Sequence, residues 1–379
     1  MKHSASTQVE VLRAEALGES ELARWVALRA ANPALSSPFF APEFALIASA
    51  HVPDAHVAIF HEGGQISAFF PFQRRGRKAQ PLAAPMNDYH GLISAPDAAM
   101  ALETLPGALR ADSVSVGAWV GEASAGQRRR TLQVDVGDNG FEGWMAERRE
   151  VWPKYFKDKA RARRGLERDL GEVSVRTDVR DPELLDRLIA MKREQYGRTG
   201  RHDVFACGWT RDVLHALMRE GTADFAASMA VLWAGDTLVA LEYALHQGAE
   251  YHFWFPAYVP EHARCSPGIL LSMETMAQLA PQGYRVFDFG FEGEGYKKYF
   301  CNAERSVSEA VVSAPGLRAR APQIALSGLE RVSAGLSDSV QRRMQIIEAC
   351  EVSAVGRLGA TLRAARDMVV KRAAGAVSA

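Results

Sequence analysis

One order of signals occurs twice in this chain, and it narrows the possible folds more than any composition does. Residues 58–72 alternate as two apolar strands around a Gly63-Gly64 turn, and residues 230–244 do the same around Gly235-Asp236. In the first half a strand near residues 90–94, a helix over 97–110 and a strand over 113–116 are expected next. In the second half the matching pieces are 251–255, 267–280 and 285–288. Hairpin, strand, helix, strand, given twice, predicts two tandem α/β lobes, each a mixed sheet flanked by helices. The expected boundaries are 1–150 for the first lobe, 151–315 for the second, and 316–379 for a helical C-terminal tail.

At 379 residues with 47% hydrophobic content, two lobes can each bury a core. Lys and Arg balance Asp and Glu at a formal charge of +0, so bulk attraction to nucleic acid is not expected. Four cysteines (Cys207, Cys265, Cys301, Cys350) stand singly, without metal-ligand spacing, which argues against a disulfide framework or a zinc site. No apolar signal core opens the chain and no long apolar run follows; a cytoplasmic setting, free or peripheral at the inner face of the membrane, is the expectation.

The two copies differ at their helix entrances. In the second half Arg264 precedes Ser266-Pro-Gly268, a sequence suited to starting a helix, with Ser266 at the N-cap and Pro267 at the first turn. The N–H groups of Gly268, Ile269 and Leu270 are then expected to face outward with the positive end of the helix dipole behind them, a site for a pyrophosphate. The first half has Ala95-Pro-Asp at the corresponding point and lacks this equipment. Between the halves, residues 154–168 form a helix-period stretch dense in Lys and Arg, which suits either a solvated face or an anionic ligand.

These segments, taken in order, resemble the Gcn5-related N-acyltransferase superfamily, in particular its CelD-like (BioF2-like) branch of polysaccharide biosynthesis, itself related to the Fem-type peptidoglycan transferases. The resemblance rests on Asn87-Asp-Tyr-His-Gly91, Lys192 to Tyr196 with Thr199-Gly200, Tyr251 to Tyr258, Ser266-Pro-Gly268, Phe287-Asp-Phe-Gly290, and Tyr296-Lys297 before Phe300. It implies acyl-CoA, most simply acetyl-CoA, as co-substrate without a metal. It further implies an amine acceptor, such as an amino sugar of a small-molecule or lipid-linked precursor. A Fem-like aminoacyl transfer, acylation of a lipid amine, and a non-enzymatic binding module are the alternatives.

Acyl transfer to an amine needs a base for the amine proton and an acid for the leaving thiolate. Asp288, at a strand end within Phe-Asp-Phe-Gly, is the first choice for base, with burial expected to raise its pKa. Glu242, alone in the apolar run 238–245, is the second. Tyr299 is the candidate acid, and the resemblance makes Asn87, Asp88, Tyr89, His90 and Lys297 candidates for acceptor contact, although residues 87–91 also read as ordinary turn chemistry. His252, among aromatics, is assigned to core packing.

From residue 316 onward aromatics vanish, and ten Lys or Arg face five Asp or Glu. Apolar residues recur at helical spacing from Met344 through Ile347, Val352, Val355, Leu358 and Leu362 to Met368 and Val369. Arg342, Arg343, Arg357, Arg363, Arg366, Lys371 and Arg372 lie between them. A helix packed on the lobes, an anionic membrane surface and an anionic regulatory ligand all fit this pattern.

Overall fold

The computed structural model describes residues 8–98, 100–121, 123–124, 126–316, 334–353 and 355–364. Within them a single mixed sheet of thirteen strands runs through both halves. Both expected hairpins are present. β2 (Ala55–Glu62) turns into β3 (Gln65–Arg75), and β9 (Phe225–Ala234) turns into β10 (Thr237–Gln247). Positive φ at Gly63, Gly64 and Gly235 explains why glycine stands at these turns.

The centre of the sheet departs from two side-by-side lobes. β7 (Gln127–Asp135), from the first half, pairs with β12 (Val286–Phe291) of the second, and β13 (Ala303–Ser313) returns to pair with β6 (Ser113–Trp119). β13 and β7 also pair with each other. The halves thus exchange strands across the line expected at residue 150.

The first half is the degraded copy. Its strand near residues 90–94 shrinks to β5 (Ile93–Ser94), with an isolated bridge from His90 to Trp119, while a strand not anticipated, β4 (Lys78–Pro81), pairs parallel with β6. The helix expected over 97–110 contracts to a 3-10 turn at Leu102–Thr104 and α3 (Leu105–Ala108), which carries Pro106 and Gly107, two poor helix formers. In the second half the corresponding helix, α8 (Pro267–Leu279), is intact and buries Leu270, Leu271, Thr275 and Met276.

One face of the sheet is covered in both halves by α1 (Glu19–Ala30), α2 (Pro42–Ser49), α6 (Pro182–Thr199) and α7 (Trp209–Arg219). Their buried faces meet in one core through Trp25, Phe44, Leu188 and Leu214. α4 (Gly140–Val151), α5 (Pro153–Leu170) and α8 contribute to separate apolar clusters of the second half. The basic stretch at 154–168 is α5, part of whose charge is spent on neighbours: Arg163 pairs with Glu167 and Glu274, Arg161 with Asp158 and Arg168 with Asp169.

The tail is helical where described: α10 is Ala334–Cys350, and 355–364 is helical as well. α10 packs on both halves. Ile347 and Cys350 are buried; Arg75 Nη2 donates to the Ala349 carbonyl at 2.8 Å, and Trp209 Nε1 to that of Cys350 at 3.3 Å. Arg366, Met368, Val369, Lys371 and Arg372, included in the sequence pattern, lie outside the described residues. No helix among the described residues is long and apolar enough to cross a membrane.

Candidate active site

β11 (Glu250–Tyr258) and β12 are parallel neighbours, and their pairing ends at His252 opposite Asp288. Beyond that point the two strands run on without pairing to each other. An extra residue in β11, Trp254, where the register with β10 shifts between Ala244 and Tyr243, bends the strand there. Peptide groups set free by the parting need partners. Lys297 Nζ, on α9 (Lys297–Phe300), donates to the carbonyls of Phe289 at 2.7 Å and Phe291 at 2.5 Å, and also pairs with Glu294. Lys192 on α6 donates to the Pro256 carbonyl at 3.2 Å. Lys297, a candidate for acceptor contact, is therefore committed to β12.

At the vertex of the parting lies a charge cluster that the sequence did not reveal. His252, 0% exposed, sits between two carboxylates: Nε2 is 2.9 Å from Asp88 Oδ2, and Nδ1 is 3.6 Å from Asp288 Oδ1. The second separation exceeds a hydrogen bond, so charge couples that pair. Burial alone would lower the His252 pKa, but the two carboxylates raise it to about 10, and the ring is an imidazolium at neutral pH. The assignment of His252 to simple core packing is corrected accordingly.

Asp288 requires a correction as well. Burial would raise its pKa, yet the charge of His252, then that of Arg305 and the Tyr89 hydroxyl, hold it well below the usual carboxylate range. Its oxygens accept from Tyr89 Oη at 2.5 Å, Gln133 Nε2 at 2.8 Å and the Gly290 N–H at 2.7 Å. A carboxylate so fully bonded and so acidic is a poor proton acceptor; it is an anchor for charge between the halves.

Glu242 is the group whose pKa rises. It is 2% exposed on β10, opposite Pro256, and its one hydrogen bond, from Ser272 Oγ, is long at 3.4 Å. Desolvation lifts it to about 8, against the pull of Ser272, His252, Lys192 and Lys297. Lys192 is moved toward the same range from the other side, down to about 8, chiefly by burial.

The loop at residues 87–90 holds itself. Asn87 closes a turn by accepting from the Tyr89 N–H at 2.9 Å and donates to the Leu82 carbonyl. Tyr89 is buried against Asp288, with Arg305 over its ring at 4.6 Å. His90 donates through Nε2 to the Asn87 carbonyl, and its Nδ1 accepts from the N–H groups of Gly117 and Ala118. Burial lowers its pKa to about 4, so it is neutral. Asp88 alone presents a partly exposed side chain, at 27%.

At the start of α8, Ser266 occupies the N-cap position with a left-handed backbone, φ 51°, and makes no side-chain cap. Its Oγ instead accepts from Lys159 Nζ of α5 at 2.8 Å. The N–H groups of Ile269 and Leu270 both bond back to the Ser266 carbonyl, so they are not outward-facing donors as expected. Gly268 N–H is left without a partner among the described residues. Arg264 is turned to Asp169 at 2.6 Å. Lys159 thus brings a cation to this helix end that its place in a basic run did not single out. Tyr299 stacks on Tyr155 at 3.8 Å. Among the described residues no three His, Cys, Asp or Glu side chains are grouped to hold a metal.

Residues 153–298, which contain α5, the parted strands and α8, match the acetyltransferase (GNAT) domain family. No curated protein matches the sequence. Among solved structures, FemX is similar at 9% identity over 79% of this chain and 95% of its own, with a TM-score of 0.49. A tandem GNAT protein of the clavulanic acid biosynthesis pathway aligns at 9% identity over 82% and 100%, with a TM-score of 0.47. The C-terminal domain (DUF2156) of a candidate lysylphosphatidylglycerol synthetase from Agrobacterium fabrum aligns at 13% over 80% and 96%, with a TM-score of 0.46.

Proposed function

We propose that the protein transfers an acyl group, in the simplest case acetyl, from acyl-CoA to a primary amine at the parting of β11 and β12. The observation that carries this reading is that parting itself, directly upstream of a helix whose N-cap residue, Ser266, takes the Lys159 ammonium on its hydroxyl, with the free N–H of Gly268 two residues on. Pyrophosphate would lie on Gly268, Ser266 and Lys159, with Arg264 at the rim, and the pantetheine would run between the strands past Ile269 and Leu270. The amine nitrogen attacks the thioester carbonyl, the C–N bond forms, and the amine proton passes to Glu242. The C–S bond then breaks, and the thiolate takes a proton, for which Tyr299 is the proposed donor. The acceptor as an amino sugar of a polysaccharide precursor rests on the resemblance to the CelD-like branch. Aminoacyl transfer of the Fem type and acylation of a lipid amine use the same chemistry.

The donor site is tested by Gly268→Val. A Cβ at Gly268 would meet only Tyr258 Cδ1, at 4.0 Å, so the fold tolerates it while the approach of a phosphate does not. Acetyl-CoA affinity is expected to fall by about 1–3 kcal/mol in calorimetry, the scale of charge-assisted hydrogen bonds. Unchanged affinity in Gly268→Val and in Lys159→Ala would remove the site.

A specific observation favours a second partner, an anionic membrane surface at the tail. Val355, Leu358 and Leu362 are exposed at 82%, 62% and 62%, one apolar stripe on the helical residues 355–364, beside Arg357 and Arg363. Replacing Leu358 and Leu362 by Asp is expected to abolish salt-sensitive binding to phosphatidylglycerol vesicles with melting unchanged. Equal binding by wild type and variant would exclude this surface.

A further inference from the structure

A cavity of about 210 Å³ lies between the first half and α10, and it touches the charge cluster through Asp88. Its lining includes Gln80, Asp88, Ser115, Phe291, Arg129 and Gln345. We infer that this cavity is the acceptor site, completed by the chain's own C-terminal helix, and that it takes a compact primary amine bearing hydroxyl or amide groups, with Asp88 as counter-ion of the ammonium. The inference rests on the acyl-transfer reading for its purpose, though its geometry stands apart from the donor site.

Charge selects the amine. Both arginines of the lining, Arg129 and Arg342, are already paired with Glu309, at 3.3 and 2.8 Å. His90 is neutral, with both ring nitrogens bonded. Asp88 gives one oxygen, Oδ2, to His252, while Oδ1 has no hydrogen bond among the described residues. An ammonium, which only donates, completes that oxygen.

Two buried polar atoms of the lining point to the rest of the ligand. Gln80 is 5% exposed, and its Nε2 donates to the Gln345 carbonyl at 3.0 Å, which leaves its Oε1 buried without a partner. Gln345 Nε2 is buried and unpartnered as well. One acceptor on β4 and one donor on α10, both without partners, match a hydroxyl or an amide, which supplies both. The volume lies below the roughly 300–1,000 Å³ of pockets for drug-sized ligands, so a compact molecule, or one end of a longer one, fits.

The cavity also opens toward the chemistry. Asp88 Oδ2 is 3.9 Å from where a Cβ on Gly290 would stand, and Gly290, at φ +67°, sits on β12 just past the last residue paired with β11. An ammonium on Asp88 is therefore held beside the parted strands. This explains why α10, far along the chain, packs here: without it Gln345 and one wall are missing.

The test uses the full chain with glucosamine, ethanolamine and serinol as amine probes, and with glucose and glucose 6-phosphate as neutral and anionic controls. Binding is read by ligand-observed NMR without donor, and acetyl-CoA affinity is measured separately. Gln345→Leu, on a partly exposed helix position, is expected to weaken binding of the hydroxylated amines about tenfold, leaving acetyl-CoA affinity unchanged. Asp88→Asn is expected to abolish amine binding. Amine binding that is undetectable in the wild type, indifferent to Gln345→Leu, or weaker than that of glucose 6-phosphate overturns the inference. Intact amine binding through Gln345 in a protein that does not bind acetyl-CoA would instead overturn the donor reading and leave the cavity's assignment standing.

Discussion

Glu242→Gln is expected to lower kcat by about 100-fold or more while acetyl-CoA affinity stays within twofold, because the amide keeps the shape and the Ser272 contact but cannot accept a proton. The wild-type pH profile follows from the sign of the shift. A base lifted to about 8 is protonated below that pH, so kcat/KM should rise about tenfold per pH unit at first and level off above it. Lys192 complicates the reading, since it too is placed at about 8 and contacts the carbonyl of Pro256, the residue opposite Glu242. Both groups titrate in the same range, so the midpoint of the profile belongs to either. Lys192→Met separates them. If the lysine only tunes its neighbour, the variant remains active with its midpoint moved up, because a nearby positive charge that favours the carboxylate is gone. Loss of turnover in Lys192→Met together with full turnover in Glu242→Gln would assign the proton transfer to the lysine.

What the sequence conveyed about this site follows a physical division. The hairpins and the start of α8 were legible because glycine turns, period-2 alternation and Ser-Pro-Gly act within a few residues. The turn at Asn87 is local in the same way, its side chain bonding two residues ahead. The exchange of β7 and β13 was not, since their partners are fixed by closure of a sheet across distant segments, and β13 carries no local mark of its neighbour. The same blindness reversed the two carboxylates. Asp288 looked like a desolvated base because its own segment shows aromatics and no cation. The cation comes from His252, set opposite it by parallel register, with Arg305 adding charge from β13. Glu242, judged weaker, has no countercharge within ion-pair distance among the described residues, and burial therefore dominates it.

Asp288→Asn is expected to destabilise the protein by about 3–5 kcal/mol, the scale for removing one partner of a buried ion pair. The variant leaves the His252 imidazolium, 0% exposed, with Asp88 as its one remaining carboxylate, and it deprives Tyr89 and Gln133 of a charged acceptor. The dependence on pH has two limbs. Asp288 is held below the ordinary aspartate value of 3.8, so its contribution is present above that pH and is lost as the pH falls through the range beneath it. His252 is raised from 6.5 to about 10, so its contribution is complete below about 6.5 and fades as the pH climbs toward 10. The difference in urea stability between wild type and variant should therefore be widest near pH 4–6.5 and narrow on either side. Adding His252→Gln to Asp288→Asn should recover part of the loss, because the uncompensated charge is gone. A variant as stable as the wild type at pH 5, yet inactive, would return Asp288 to the role of base that its sequence context first suggested. A variant destabilised at pH 5 and relieved by the second substitution fixes it as the buried counter-ion on which the two halves are joined.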